Sequence, residues 1–195
     1  MKIISERFSR FCFVLAVITF NLPLSVNSFA LAVENKLVEA IALHNHGRDG
    51  DDQATAAAIK LLEEIIKTEP KNVTALTYLG SSYAITARDS KIVADKMRYT
   101  NRGLRFLDQA IVLEPNNFVS RLIRANVANN LPAMFGRQGT AIEDGLMLDR
   151  IFSNAQNPKM ASPMIGIYEM LSKIADGQGD WTNKASLARE LAKSN

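Results

Sequence analysis

Apolar positions recur every three to four residues along most of this chain, and one stretch of the pattern occurs twice. Ala58, Leu61, Leu62, Ile65 and Ile66 share one helical face, with Lys60, Glu63, Glu64 and Lys67 on the other. The run stops at Glu69-Pro70, because proline has no backbone N–H and disfavours helix in the residue before it. Lys71-Asn72 follows, and a new apolar run begins. From Gly103 the same phrase returns, with Leu104, Leu107, Ala110 and Ile111, then Glu114-Pro115, then Asn116-Asn117.

The same periodicity predicts further helices on either side. A first helix is expected over 33–46, with Leu37, Ala40, Ile41 and His44 on one side and Gly47 ending it in the left-handed conformation. Asp51 or Asp52 is placed to cap a second helix that runs to about Thr68, and Asn72 to cap a third from Val73 to about Ala87. A fourth, from near Ser90, carries the stripe Val93, Met97, Thr100, Leu104, Leu107 and Ile111. A fifth runs from Asn117 to before Pro132. Thr140-Ala141-Ile142-Glu143 reads as a capping box opening a sixth, which runs to about Phe152. Ser162 as cap, with Pro163 in the first turn, opens a seventh whose stripe is Met164, Ile167, Tyr168, Leu171 and Ile174. The last spans about Asn183 to Lys193, after a turn at Gly177–Trp181. No segment reads as a strand. The expected architecture is all-α, with about four antiparallel helix pairs.

Between the two Glu-Pro stops sits Leu76-x-x-Leu79-Gly80-x-x-Tyr83. Gly80 leaves room for a neighbouring helix backbone, and Leu76, Leu79 and Tyr83 surround the approach. With Ala110 and the stops Pro70 and Pro115, this set resembles the tetratricopeptide (TPR) repeat family, whose period is about 34 residues. Here the stops are 45 residues apart. The surplus, about 11 residues, is close to three whole helical turns, so a lengthened helix absorbs it without rotating the apolar face. In the next unit Arg121 and Arg124 stand where the third helix has Leu76 and Leu79, and Ala128 stands where it has Tyr83. The seventh and eighth helices resemble the family again through Tyr168, Leu171, Gly179-Asp180-Trp181, Ala185 and Ala188. The resemblance implies an α-solenoid in which the first helix of each pair lines a concave surface.

The N-terminus departs from this pattern. Lys2, Arg7 and Arg10 precede the apolar run Phe11–Phe20, Pro23 breaks it, and Ala30-Leu31-Ala32 offers a small-x-small cleavage pattern. That order reads as a secretory signal peptide over 1–32, cleaved after Ala30 or Ala32, followed by a repeat domain over 33–195. A membrane anchor is the competing reading, but Asn21 and Pro23 interrupt after about half of the roughly 20 apolar residues that a span needs. The expected location is periplasmic or secreted, with no transmembrane segment after cleavage. Cys12 is the single cysteine, so residues 33–195 carry no disulfide. Those residues hold 20 Lys and Arg against 19 Asp and Glu, a near-neutral balance that gives no case for nucleic acid.

Candidate chemistry is sparse. His44, His46, Asp49, Asp51 and Asp52 form one metal-like cluster, but residues two apart on a helix point in different directions and the acidic run lacks a calcium loop's ligand spacing. The expectation is a core-facing His44, an exposed His46 and no metal or cofactor. Ser81 and Ser82 lie inside a helix, not at a nucleophile elbow, so no catalytic residue is assigned and no enzyme is expected. The basic centre is the better lead. From Arg88 to Arg137 nine Lys and Arg face four Asp and Glu. Arg98, Arg102 and Arg105 share a helical face, and Arg121 and Arg124 fall on the helix that the resemblance places on the concave side. With Arg137 and Phe135 from the long loop Asn129–Gly139, they are the candidate partner-binding residues, the alternative being a solvated basic face. The expected function is an exported scaffold or adaptor that holds a protein or peptide, an acidic one being the chemistry the basic patch would suit. The alternative is a ligand-binding accessory of a periplasmic transport system, because Phe135-Gly136-Arg137 and Ala141 resemble a turn in tetratricopeptide-like uptake components.

Overall fold

The computed structural model describes residues 24–193 apart from Gln156 and Asp176, with side chains from Ala30 onward. Its helices are α1 (Leu24–Arg48), α2 (Asp52–Thr68), α3 (Val73–Asp89), α4 (Val93–Leu113), α5 (Phe118–Asn130), α6 (Gln138–Ala155), α7 (Ala161–Ile174) and α8 (Trp181–Lys193). They pair in sequence as α1–α2, α3–α4, α5–α6 and α7–α8, and no strand occurs among the described residues. Most of the segment expected to be a signal peptide, residues 1–23 of 1–32, lies outside the described residues.

The doubled phrase folds into the same local structure twice. At the first stop the Glu69 N–H donates to the Ile65 carbonyl at 2.8 Å, the Asn72 N–H to the Glu69 carbonyl at 3.0 Å, and the Asn72 side-chain amide to the Glu69 carboxylate at 2.8 Å. At the second stop Glu114 bonds Ala110 at 3.0 Å, Asn117 bonds Glu114 at 3.1 Å, and the side chains meet at 2.7 Å. Each Asn then accepts from the N–H three residues on, Ala75 at 2.9 Å and Ser120 at 3.0 Å, which caps α3 and α5. Glu-Pro-x-Asn is thus a complete stop-turn-start unit. Asp51 caps α2 in the same way through the Ala54 N–H.

Close approach fixes the α3–α4 pair. A Cβ at Gly80 would lie 2.7 Å from the Gly103 carbonyl oxygen, and one at Gly103 would lie 2.6 Å from the Gly80 oxygen. Leu76, Leu79, Tyr83 and Ala110 are buried around this contact, whereas Pro70 and Pro115 sit on the surface just beyond their helix ends. The 45-residue unit is filled by helix, 17 residues in α3 and 21 in α4, with a linker over 90–92.

Several boundaries differ from expectation: α4 begins at Val93 rather than near Ser90, and α8 begins at Trp181, inside the expected turn. Helix α1 begins at Leu24, so Ala30-Leu31-Ala32 lies within it, no glycine or proline standing between 24 and 46. Gly47 does not end it in the left-handed conformation; Gly50 takes the positive φ of 110°, and Gly47 instead presses against Thr55 of α2. Helix α6 begins at Gln138, and Glu143 reaches across to Arg121 rather than back to a cap. Helix α7 begins at Ala161, because a 3-10 turn over Pro158–Met160, capped by Asn157, leads directly into it and puts Ser162 inside the first turn.

The apolar core comes in three clusters. One gathers Leu62, Ile65, Leu79 and Tyr83; a small one beside it gathers Val73, Leu76 and Ala110; the third gathers Leu148, Met164, Ile167, Leu171 and Trp181. Between the first two and the third, the junction of α3–α4 with α5–α6 is largely polar. Thr77 and Ser120 share a buried hydroxyl–hydroxyl bond of 2.7 Å, and beside it lies an ion cluster.

Candidate functional site

Arg121 and Arg124 occupy the α5 positions equivalent to Leu76 and Leu79, and they point into that junction. Both are buried, at 4% and 7% exposure, around an Asp144 that is fully buried. Asp144 accepts from Arg121 at 2.5 Å and from Arg124 at 2.7 and 2.9 Å, and Arg121 also bonds the Pro115 carbonyl. Arg124 continues to Asp108 of α4 at 3.0 Å, where Arg137 of the loop joins it, also at 3.0 Å. Burial acts to lower the Arg124 pKa, but the bonds to Asp144 and Asp108 outweigh it, so the guanidinium is held more firmly protonated. The placement of Arg121 and Arg124 on an open concave surface is therefore corrected: their donors face carboxylates inside the stack. Nothing in the spacing of the helix ending at Asn130 signals this; the informative residue is Asp144, a carboxylate on the face of α6 that Ala141 and Leu148 bury.

The remaining arginines separate. Arg102 bonds Glu63 of α2 at 2.6 Å and lies 4.4 Å over the Tyr83 ring, while the Tyr83 hydroxyl donates to the same carboxylate at 2.5 Å. The device recurs at the last pair, where the Tyr168 hydroxyl donates to Asp149 of α6 at 2.9 Å and Lys184 of α8 bonds Asp149 at 2.7 Å beside that ring. In both, a tyrosine on the first helix of a pair joins a carboxylate on the preceding helix and a cation on the following one. Burial, with the carboxylate bond second, pushes both phenols well above their ordinary range, which leaves them without a role as bases at neutral pH. Arg98 pairs with Asp95 and stacks on Tyr99, and Arg105 is exposed on α4. The candidate arginines thus do not form one surface.

Of the candidate residues, Phe135 lines a groove of about 760 Å³ between the end of α3, the start of α4, the end of α5 and the loop after it. Its origin is a mismatch in length. With Asn72 and Asn117 aligned, α3 has 17 residues and α5 has 13, because Pro132 stops α5 one turn early. The start of α4 carries Val93 and Met97, which the shortened α5 leaves open, while Ile85, level with the end of α5, forms the buried floor. A 3-10 turn over Ala133–Phe135, closed by Gly136 at φ 63°, partly fills the gap with a half-buried Phe135 and a Met134 that is 74% exposed. Val127 and Leu131 complete the apolar wall, and Asn126 and Asn130 stand beside it.

Among the described residues, those lining this groove include three cations, Arg48, Arg88 and Lys96, and no carboxylate. The three adjoin. Arg88 donates to the Arg48 carbonyl at 3.2 Å, and Lys96 donates to the Arg88 carbonyl at 3.0 Å. Arg88 also forks onto Asp89 at 2.7 and 2.8 Å, the bond that chiefly raises its pKa. On the other side of α3 a second cleft of about 560 Å³ mixes Asp52, Glu63 and Asp89 with Arg102 and Tyr99.

His44 is buried, 2.9 Å from the Ser81 hydroxyl and edge-on to Tyr78, and burial lowers its pKa; His46 is exposed. No three His, Cys, Asp or Glu gather at metal-binding distance among the described residues, and no described helix is long and apolar enough to cross a membrane. No family model, curated protein or solved structure matches this chain.

Proposed function

We propose that this chain is an exported, non-enzymatic helical-repeat module of the tetratricopeptide type that holds a partner polypeptide. Three features support the repeat reading. The stop-turn-start unit occurs twice with the same bonds, the tyrosine–carboxylate–cation device occurs twice, and the first helices of successive pairs touch one another, α1 with α3, α3 with α5 and α5 with α7. The N-terminal order of basic, apolar and small residues supports export. The observation that carries the binding reading is the groove at the α3–α4/α5 junction: an apolar wall left uncovered by a shortened helix, bordered by cations.

A photo-activatable residue at position 134, in cells that make the protein, tests this. A discrete adduct with another polypeptide is expected there, and none from the same residue at position 112, where Val112 is exposed elsewhere on α4. Equal labelling from both positions, or none, refutes the reading. A second reading, a small-ligand accessory of a transport system, draws support from the groove's volume, which falls in the range of about 300–1,000 Å³ usual for small-molecule sites; a bound metabolite released on denaturing the purified protein would favour it.

A further inference from the structure

The groove exists because a turn of helix is missing, and this says what fits it. At the end of α3 and the start of α4 the cover that α5 gives stops before Pro132, so Val93 and Met97 face Val127, Leu131 and Phe135 across open space, over a buried Ile85. Val93 and Met134 stand on the rim, each 74% exposed. Every long wall is a helix surface, whose ridges and grooves accept the ridges of another helix, and no strand edge is present among the described residues to pair with an extended chain. The charge is one-sided. Arg48, Arg88 and Lys96 sit together at one border with no carboxylate in the lining, and the Lys96 ammonium bonds only a carbonyl oxygen.

We propose that this groove takes a short amphipathic α-helix of the partner polypeptide, with an apolar stripe against Val93, Met97, Val127 and Phe135 and an acidic flank against Lys96 and Arg48. The inference rests on the polypeptide-binding reading above and names the chemistry of the partner. The occupant completes the helical layer that α5 leaves short, and its carboxylates meet Lys96, which among the described residues bonds only a carbonyl oxygen, and Arg48, whose single ion pair there is an exposed one of 3.3 Å with Asp49; Arg88 is already held by Asp89. Apolar anchors at i, i+4 and i+7 span about two turns, which matches a bounded concavity rather than a flat interface.

The test is selection of random peptides of about 14 residues, roughly four turns, displayed on phage against the purified protein and counter-selected on the Met134→Asp protein, whose fold is checked by circular dichroism. Enriched sequences are expected to carry the helical apolar spacing with Asp or Glu on one flank, and the synthetic peptides to gain helicity on binding. Reversing the charge of the receptor, Lys96→Glu with Arg48→Glu, should weaken them by about tenfold or more and restore binding when the peptide's acids become lysines. Enrichment with alternating or patternless apolar residues overturns the helix while leaving polypeptide binding intact. Basic flanks, or indifference to the charge reversal, overturn the acidic partner. Selection with no enrichment overturns both readings, as does a groove that binds decanoate alone or that Met134→Asp shows to be the contact between two copies of this chain.

Discussion

Replacing Gly80 with alanine adds one methyl group to α3 where α4 leaves no room for it. The new carbon would lie 2.7 Å from the Gly103 carbonyl oxygen, 2.7 Å from Leu107 Cγ and 3.0 Å from the Leu107 nitrogen. Two of these neighbours are backbone, so relief requires the helices to move apart, along a contact whose side chains Leu79, Tyr83, Leu104 and Leu107 are all buried. Overpacking of that kind costs about 1–3 kcal/mol, and backbone neighbours place it in the upper half. Against it stands the intrinsic advantage of alanine over glycine inside a helix, about 1 kcal/mol. The net expectation is a loss of about 1–2 kcal/mol, and in a domain of this size each kcal/mol shifts Tm by roughly 2–4 °C. The same substitution at Gly166 is the control. Gly166 lies inside α7, exposed, with nothing within 4 Å of its would-be Cβ, so Gly166→Ala should gain about 0.5–1 kcal/mol. Urea and thermal unfolding followed by circular dichroism at the helical band read both. Opposite signs are required. If Gly80→Ala stabilises, or both variants move the same way, the Gly80–Gly103 contact does not set the spacing of α3 and α4.

Asp144→Asn leaves Arg121 and Arg124 buried without their shared carboxylate, and urea unfolding should show a loss of about 3–5 kcal/mol; a change under 1 kcal/mol would mean that Glu143 and Asp108 suffice. His44 is held neutral by burial, its pKa below the ordinary 6.5. Just below pH 6.5 the unfolded chain therefore binds a proton that the folded chain does not, and stability is full above that pH and declines as pH falls through the folded value. Unfolding midpoints measured between pH 5 and 7.5, the range in which histidine ordinarily titrates, should lose part of this slope in His44→Gln, and an unchanged slope would place the titration elsewhere. Mass spectrometry of the exported protein should find a start at Leu31 or Val33; an intact Met1 in the membrane fraction would overturn the export reading.

Local chemistry was legible wherever a residue's effect ends within a few positions of itself. The Asn72 and Asn117 caps, the Glu-Pro stops and the helical filling of the 45-residue unit follow from proline's missing donor, an asparagine side chain's reach and the helical period. Gly80 was legible as a packing glycine because an exposed helix gains nothing from glycine. His44 was legible as core-facing because it continues the Leu37–Ile41 stripe. Boundaries without such a marker moved, as at α6, where Gln138 rather than Thr140 opens the helix.

The candidate site was legible in part. Phe135 and the loop that carries it form a wall of the groove, while the charged residues sorted themselves by partner. An arginine on a helical face looks free until a carboxylate distant in sequence is found, and for Arg121, Arg124 and Arg102 those carboxylates lie 23, 20 and 39 residues away. Arg48, Arg88 and Lys96 come from three helices and have no common spacing.

By itself the sequence determined the all-helical class, the order of helices and the two Glu-Pro-x-Asn turns, because each depends on interactions within one or two turns of chain. The tertiary structure decided which charges are neutralised and where an apolar wall stays uncovered. Neutralisation depends on which side chains from distant segments meet, and the groove on a difference in length between helices that pack side by side, one ended by Pro132 and its neighbour continuing to Asp89. A local pattern contains neither quantity; both appear only when the pairs stack.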